Sequence, residues 1–276
     1  MNKRIAAMAI GLTALFASFD PAQAVLIFAS DYLGNVAKYE TTTGSLSALG
    51  SLNGFTIGKV MGMAYDGTTN SILLIDRNGR NVYSMNVQTG VASSLFSLSR
   101  PFQGGAVKGG RLYVIDETYQ TMEAFSLSDF GAQGLSGGIA PDHTHAIGVN
   151  KSTGQLYSMA NHNFRHVSDD GVFGNSFLTT TGSIFNDIDY LAGDFVGVVQ
   201  GSGITRIDGV TGDVSSLVTR DELLAVGVDT ITIAGQGVAV VVPEPSPLTL
   251  LSVLFGFLIV TFRKWEAHRL PGTAKK

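Results

Sequence analysis

The sequence predicts an all-β fold, a β-propeller-like repeat domain with five or six blades. Charged residues make up only 14% of the 276 residues, whereas glycine occurs 34 times. This composition suits turn-rich β structure better than helix. Short apolar runs recur roughly every 40 residues, a period typical of propeller blades. Turn dipeptides such as Thr-Gly and Asp-Gly separate these runs, as expected for hairpins.

Each repeat contains up to four apolar runs, which we interpret as four strands. The first runs are residues 63–66, 106–109, 147–150, 188–190 and 226–229. The second runs are 72–76, 112–116, 156–159, 195–199 and 231–234, with an additional copy at 26–31. The third runs are 36–39, 82–85, 122–125, 164–167 and 204–207, and a weaker fourth run, such as 214–218, follows most of them.

Four strands in roughly 40 residues form the unit of a β-propeller blade. The apolar segment 237–242 is expected to act as a closing strand that joins the two ends of the domain in one blade. Such a pairing would leave no open sheet edge at the junction. The alternative is a β-sandwich or β-helix with irregular repeats. The spacing resembles that of NHL and YVTN surface propellers in style, but no single repeat matches either motif.

The N-terminus has the three parts of a secretory signal. Asn2-Lys3-Arg4 is positive, residues 5–17 are apolar and uncharged, and Ala22 and Ala24 are small residues at the two positions that a signal peptidase must accommodate. We therefore expect residues 1–24 to be a signal peptide cleaved after Ala24. The alternative is an N-terminal membrane anchor.

The C-terminus contains a proline-rich joint at 243–247, an uncharged apolar segment at 248–262 and a basic tail at 263–276. Prolines terminate regular structure, so the propeller domain is expected to span 25–242. Fifteen helical residues cover about 22 Å, and the stems of flanking basic residues extend this reach. The segment is therefore predicted to be a transmembrane helix whose basic end lies in the cytoplasm. The basic stop consists of Arg263, Lys264 and Arg269.

This order of segments resembles the PEP-CTERM sorting signal. The family motif Val-Pro-Glu-Pro is matched by Val242, Pro243, Glu244 and Pro245. The resemblance implies a substrate of exosortase, an integral-membrane peptidase, in a Gram-negative bacterium that makes exopolysaccharide or floc matrix. The protein would be anchored in the inner membrane before processing and then delivered to the cell surface or extracellular matrix. The basic tail is more dilute than in the family, and an ordinary single-span anchor is the alternative.

Composition excludes several chemistries. The chain has no cysteine, which excludes disulfides, thiolate metal sites and a cysteine nucleophile. Residues 25–242 contain 11 Lys and Arg against 19 Asp and Glu, a balance of −8. Nucleic acid is not an expected partner, because phosphate binding requires a basic face.

Four histidines occur close together in the sequence and raise the hypothesis of a divalent metal site. They are His143, His145, His162 and His166. Polar loops of one blade are the alternative explanation, and we expect no bound cofactor.

Aspartates recur at strand ends, where they can cap turns or surround a channel that binds calcium or a sugar. They are Asp66, Asp76, Asp116 and Asp229, and turn capping is the preferred interpretation. Asp187 and Asp189 lie on one face of a strand, and the separation of their carboxyl groups would decide whether they act as a glycosidase pair.

We expect a non-enzymatic surface protein. Its expected partners are signal peptidase, an exosortase-type peptidase, membrane lipid around the C-terminal helix and matrix polysaccharide or envelope proteins. The alternative is a secreted propeller enzyme, such as a lactonase or a glycan-active hydrolase. Fold alone does not choose between them, because function depends on the site.

Overall fold

Five four-stranded antiparallel sheets form the fold. The computed structural model describes residues 25–141, 144–180, 185–199, 201–229 and 237–241, the last as backbone only. The innermost strands of the sheets neighbour one another in ring order, so each sheet is one blade around a central channel. The protein is therefore a five-bladed β-propeller contained within residues 25–241.

The strands are numbered along the chain, and the strands of each blade are named in order from the channel outwards. Blade 1 contains β20 (Gly237–Val241), β1 (Leu26–Ser30), β2 (Asn35–Glu40) and β3 (Ser45–Ser51). Blade 2 contains β4 (Val60–Asp66), β5 (Ser71–Asp76), β6 (Asn81–Asn86) and β7 (Ala92–Ser97). Blade 3 contains β8 (Phe102–Lys108), β9 (Arg111–Asp116), β10 (Thr121–Ser126) and β11 (Ala132–Gln133). Blade 4 contains β12 (Thr144–Asn150), β13 (Gln155–Ala160), β14 (Asn163–Val167) and β15 (Phe173–Thr179), and blade 5 contains β16 (Phe185–Leu191), β17 (Asp194–Val199), β18 (Gly203–Ile207) and β19 (Val214–Thr219).

The predicted closure of the ring is confirmed. Strand β20 pairs antiparallel with β1, with Leu26 opposite Val241 and Ser30 opposite Gly237. The last described strand therefore completes the blade that the first strand begins. Closure in this way leaves β20 paired within blade 1 rather than as a free edge.

The prediction of a strand at 226–229 is wrong. A short helix, α1 (Arg220–Ala225), occupies the chain just before these residues, and Val226 is its C-cap. Thr219 and Glu222 form a capping box at the helix start, in which each side chain bonds to the backbone of the other. The second run proposed at 231–234 lies outside the described residues. The inner strand of blade 1 is β20 rather than residues 226–229, and the number of blades is therefore five.

The core lies in the seams between blades rather than inside one layer. Each of five apolar clusters draws its side chains from two neighbouring blades. The second strand of each blade has a seam on both of its faces and is buried on both. Its sequence is therefore a continuous apolar run without alternation. Strand β5 shows this clearly, because every residue from Ser71 to Asp76 is buried.

Within the described part of the chain, α1 is the only helix, and nothing there combines the length and apolar character needed for a membrane span. The helix predicted at 248–262 lies outside the described residues, as does the signal peptide predicted at 1–24.

Candidate functional site: the central channel and its two mouths

The central channel is the first candidate site, because every blade presents its innermost strand there. All blades have the same strand order, so the five inner strands run in the same direction. We call the end at which these strands begin the entry mouth and the end at which they finish the exit mouth. The entry mouth contains Val60 and Thr144, and the exit mouth contains Asp66 and Asn150.

Glycines allow the inner strands to approach one another closely. A Cβ atom added to Gly62 of β4 would lie 2.5 Å from the backbone of Gly104 in β8. A Cβ atom added to Gly104 would in turn lie 2.9 Å from the carbonyl oxygen of His145 in β12. Real side chains do not fit at these separations, so these blades meet through their backbones. Blades 2, 3 and 4 therefore approach one another closely around the channel.

Two carboxylates of blade 5 occupy the channel wall. The N–H of Met63 donates to Asp187 Oδ2 at 2.9 Å, and the N–H of Val149 donates to Asp189 Oδ1 at 3.3 Å. Asp187 is 0% exposed and Asp189 is 5% exposed. An inner strand has one edge without a neighbouring strand, so its N–H groups need other acceptors. Asp187 and Asp189 supply these acceptors and tie blade 5 to blades 2 and 4.

The same carboxylates also accept hydrogen bonds from their own strand. The N–H of Ile188 donates to Asp187 Oδ1 at 3.1 Å, and the N–H of Tyr190 donates to Asp189 Oδ1 at 2.8 Å. The pair considered above as glycosidase residues is therefore buried and engaged with backbone donors. Its geometry supports a role in holding the channel wall together.

Polar side chains lie at the entry mouth, near irregularities in the inner strands. Strands β4, β12 and β16 each contain an extra residue at their second position, namely Met61, His145 and Asn186. Such bulges re-aim side chains and are common beside functional sites. In β8, Gln103 Nε2 donates to the Thr144 carbonyl at 3.1 Å and lies 3.1 Å from His145 Nδ1. The entry mouth thus combines amide, imidazole and thioether groups.

Charged residues border the entry mouth on the side of blades 2 and 3. Arg77 forms an ion pair with Glu117, and its Nη1 lies 3.5 Å from Met61 Sδ. Burial lowers the pKa of Lys59 below its ordinary value, with a further lowering by Arg77 and an opposing effect of Glu117. This side of the mouth is therefore a compact set of mixed charges.

A different set of groups occupies the exit mouth. Lys151 Nζ lies 4.4 Å from the ring centroid of Tyr65, within the range of a cation–π interaction. Lys151 retains solvent contact, yet desolvation by the surrounding protein lowers its pKa, while the carboxylates of Asp189 and Asp66 oppose this effect. The sequence pattern did not single out Lys151; its position directly after an inner strand was the available signal.

Three of the four strand-end aspartates, Asp66, Asp76 and Asp116, cap turns, which confirms the preferred interpretation for them. Asp76 accepts from the N–H groups of Gly58, Lys59 and Gly79 at 2.7–3.0 Å. Asp116 accepts from Thr118 and Tyr119 and pairs with Arg100, and Asp66 accepts from Thr68 and Thr69.

Asp31, which ends the first of the second-type runs, makes the same kind of contact. It accepts from the N–H groups of Leu33 and Asn35, from the Asn35 amide, and from the N–H of Asp229. Burial raises the pKa of Asp31, and these hydrogen bonds act against the rise. Asp229 therefore contributes its backbone to a cap made by another aspartate.

The histidines occupy different parts of blade 4. His145 lies in the inner strand β12, His162 in the turn between β13 and β14, and His166 in β14, stacked on Phe177. His143 lies outside the described residues. Among residues that the structure describes, no three His, Asp or Glu side chains are grouped closely enough to hold a metal ion. The four-histidine site thus gains no support from its three described members.

The sorting motif Val242, Pro243, Glu244 and Pro245, the basic residues Arg263, Lys264 and Arg269, and the cleavage residues Ala22 and Ala24 all lie outside the described residues. These sites stay predictions from the sequence.

No known family model and no curated protein matches this sequence. Among solved structures, one similar chain comes from a nidogen/laminin complex, with a TM-score of 0.53 and 10% identity over 80% of this chain and 100% of that one. Another is a structural genomics protein of unknown function from Bacteroides thetaiotaomicron VPI-5482, with a TM-score of 0.50 and 16% identity over 67% of this chain. This chain covers 56% of that protein's length.

At these identities the likeness shows the fold alone. In total, 1090 chains of solved structures are similar at a significant level, so the architecture is too widely shared to indicate a ligand. The fold and the channel define the protein as a five-bladed β-propeller, and its function has to be argued from its own residues.

Proposed function

We propose that the chain is an exported bacterial surface protein in which a C-terminal PEP-CTERM-like signal sorts a non-enzymatic, ligand-binding propeller. The observation that carries the proposal is the position of the motif relative to the fold. Strand β20 completes the ring and ends at Val241, and the Val-Pro-Glu-Pro motif begins at the next residue. Pro243 has no N–H to extend strand pairing, so the motif directly follows the last residue that the ring requires.

The predicted N-terminal processing point has a matching position. Cleavage after Ala24 would leave Val25 one residue before β1, and Leu26 of β1 pairs with Val241 of β20. Removal of both ends would therefore spare every hydrogen bond of the closing pair. Such an arrangement suits a domain that is released from its targeting segments as a folded body.

The non-enzymatic part of the proposal is supported by how the buried carboxylates are used. Asp187 and Asp189 accept backbone N–H groups in the channel wall, and Asp76 and Asp116 accept them in turns. These groups serve the fold. The exposed surface, not the channel wall, then becomes the place to look for a ligand.

The sorting proposal is tested by expressing the full chain in a host with an exosortase and measuring the mass of the mature protein. We expect the wild-type chain to begin at Val25 and to lose its C-terminal segment. A variant with Pro243-Glu244-Pro245 replaced by three alanines should keep the tail through Lys276. Pro247→Ala removes a proline outside the motif and should be processed like wild type. Identical C-termini and identical location for wild type and the triple-alanine variant would refute the sorting proposal.

A further inference from the structure

The outer strands of four blades share a register feature that serves as an internal alignment. Each contains one extra residue between two adjacent pairs with the third strand. In blades 1, 2 and 5 this bulge residue is a leucine: Leu49, Leu95 and Leu217. All three are partly buried and pack against the apolar cluster of a seam. The fold therefore uses this position for packing.

Blade 4 departs from this pattern. Its bulge residue is Phe177, between the pairs Phe164–Leu178 and Arg165–Ser176. Phe177 is 42% exposed, although it is larger and more apolar in area than the leucines it replaces. Strand β15 also contains a second irregularity, between Arg165 and Val167 of its partner strand, where the other outer strands have one or none. The Phe177 ring still lies 5.8–6.5 Å from the rings of Tyr157, Phe164 and Phe195, so part of it packs against the seam and the remaining 42% faces solvent.

Phe177 begins a row of aromatic rings. The His166 ring lies 4.4 Å from the Phe177 ring with an interplanar angle of 25°. Tyr157 lies 5.2 Å from His166, and Tyr190 of blade 5 stacks on Tyr157 at 5.6 Å and 7°. This aromatic row (Phe177, His166, Tyr157 and Tyr190) leads from the outer edge of blade 4 to the inner strand of blade 5. His166 and Phe177 are exposed, so the outer half of the row is open to solvent.

The residues that flank Phe177 within β15 are uncharged, and Arg165 of β14 lies opposite Ser176 and donates to the Gly174 carbonyl. Strand β15 has the sequence Phe-Gly-Asn-Ser-Phe-Leu-Thr, with no charged side chain. Asn175, Ser176 and Thr179 are exposed, and Thr179 Oγ1 donates to Asn163 Oδ1 at 2.9 Å. The outer end of the aromatic row thus combines a partly exposed ring, that of Phe177, with neutral hydrogen-bonding groups.

These features select the ligand class. A pyranose ring has a face of C–H groups, which the negative face of an aromatic ring attracts, and hydroxyls around its edge. Neutral amide and hydroxyl side chains match those hydroxyls, whereas nothing on β15 would neutralise an acidic or basic ligand. A protein partner would need about 800 Å² of matched surface on each side, far more than one exposed ring offers. We propose that the aromatic row of blade 4 binds a neutral oligosaccharide by stacking a sugar ring on Phe177.

This inference rests on the proposed binding role of the propeller, and its test is independent of C-terminal processing. The full chain is purified in a detergent without a sugar headgroup, because such headgroups would compete. Binding of cellohexaose and maltohexaose is measured by calorimetry and by ligand-observed NMR, with tetragalacturonate as an acidic comparison. We expect at least one neutral hexasaccharide to bind, and tetragalacturonate to bind at least tenfold more weakly.

The decisive variant is Phe177→Leu, which gives blade 4 the residue that blades 1, 2 and 5 already have. We expect it to stay folded, with a cooperative thermal transition, and to lose affinity for the hexasaccharide at least tenfold. Tyr119→Leu is the matched control, since Tyr119 is also an exposed aromatic residue, at 58%, but belongs to blade 3. Its affinity should stay within twofold of wild type.

Several outcomes would overturn the proposal. These are a wild-type chain that binds neither neutral hexasaccharide, a Phe177→Leu variant that binds as tightly as wild type, and tighter binding of tetragalacturonate. Sedimentation could also show self-association that depends on Phe177 while no saccharide binds. That result would assign the exposed end of the aromatic row to contact between copies of the chain. Because processing is read from the C-terminal mass, a failure of saccharide binding leaves the sorting result unchanged.

Discussion

Blades 2 and 4 have the same four-strand topology but differ in the turn between their second and third strands. In blade 2 the turn between the second and third strands has four residues between the paired Asp76 and Asn81. In blade 4 the equivalent turn has two residues between the paired Ala160 and Asn163. In the longer turn Asp76 accepts from the N–H of Gly79, and it also accepts from Gly58 and Lys59 of the loop before β4. The shorter turn is closed by the pairing of Ala160 with Asn163, so alanine can occupy the position that corresponds to Asp76.

Two further positions separate these blades. Gly62 of β4 and Ala146 of β12 each follow the bulge of their inner strand, yet only Gly62 lies against another backbone closely enough to exclude a Cβ atom. Leu95 packs in a seam, whereas Phe177 is exposed. At these positions blade 2 has residues that the packing of the fold requires. Blade 4 has residues that this packing does not require.

The largest expected effect comes from Asp76→Ala. Asp76 is fully buried and is the acceptor for three backbone N–H groups, which the substitution would leave without their partner. A buried donor without an acceptor costs about 1–3 kcal/mol, so we expect a loss of roughly 3 kcal/mol in the free energy of unfolding, measured with urea.

The control for this prediction is Asp208→Ala. Asp208 also accepts from two N–H groups of a turn, those of Val210 and Thr211, but this turn is exposed. Water can replace its carboxylate, so the loss should be much smaller. Equal effects at positions 76 and 208 would show that burial does not set the strength of these caps.

An intermediate effect is expected from Gly62→Ala. The new Cβ would lie 2.5 Å from the Gly104 backbone, so blades 2 and 3 would have to move apart. Overpacking of this kind costs about 2 kcal/mol. Gly67→Ala is the control, because its Cβ would meet only the Tyr65 ring at an ordinary 3.6 Å. Thermal unfolding of both variants measures the difference, and similar midpoints would contradict the close approach of the two inner strands.

The smallest effects concern the bulge residues of the outer strands. Leu95→Phe enlarges a side chain that already packs in a seam and should cost about 1 kcal/mol. Phe177→Leu keeps an apolar side chain at a position that is 42% exposed, so it should cost less, about 0.5 kcal/mol. Urea unfolding of both variants sharpens the contrast between the two blades. A larger loss at 177 than at 95 would mean that Phe177 serves the core after all.

The second strands of the blades could be read from the sequence because they are buried on both faces. Ile72 to Ile75 and Leu112 to Ile115 form continuous apolar runs, and turn residues bracket them. The error at 226–229 arose because apolar content alone does not separate a strand from the end of a helix. Thr219 and Glu222 carried the helix-start signal that would have corrected it.

The candidate site was harder to predict. Asp187 and Asp189 were recognised as a pair on one strand, but their acceptor role depends on Met63 and Val149, which come from other blades. Phe177 gave no signal of its own. Only the register of β15 against β14 shows that it occupies the position of a partly buried leucine in other blades.

The sequence by itself determined the repeat, most strand positions and the turn-capping aspartates, because these depend on residues within one blade. The tertiary structure decided the number of blades and the contents of the channel. Ring closure requires Leu26 to pair with Val241, and the channel wall requires Asp187 to reach Met63. Such contacts join residues that are far apart in the sequence, and they depend on how all five blades pack around the ring. No local sequence pattern specifies that packing.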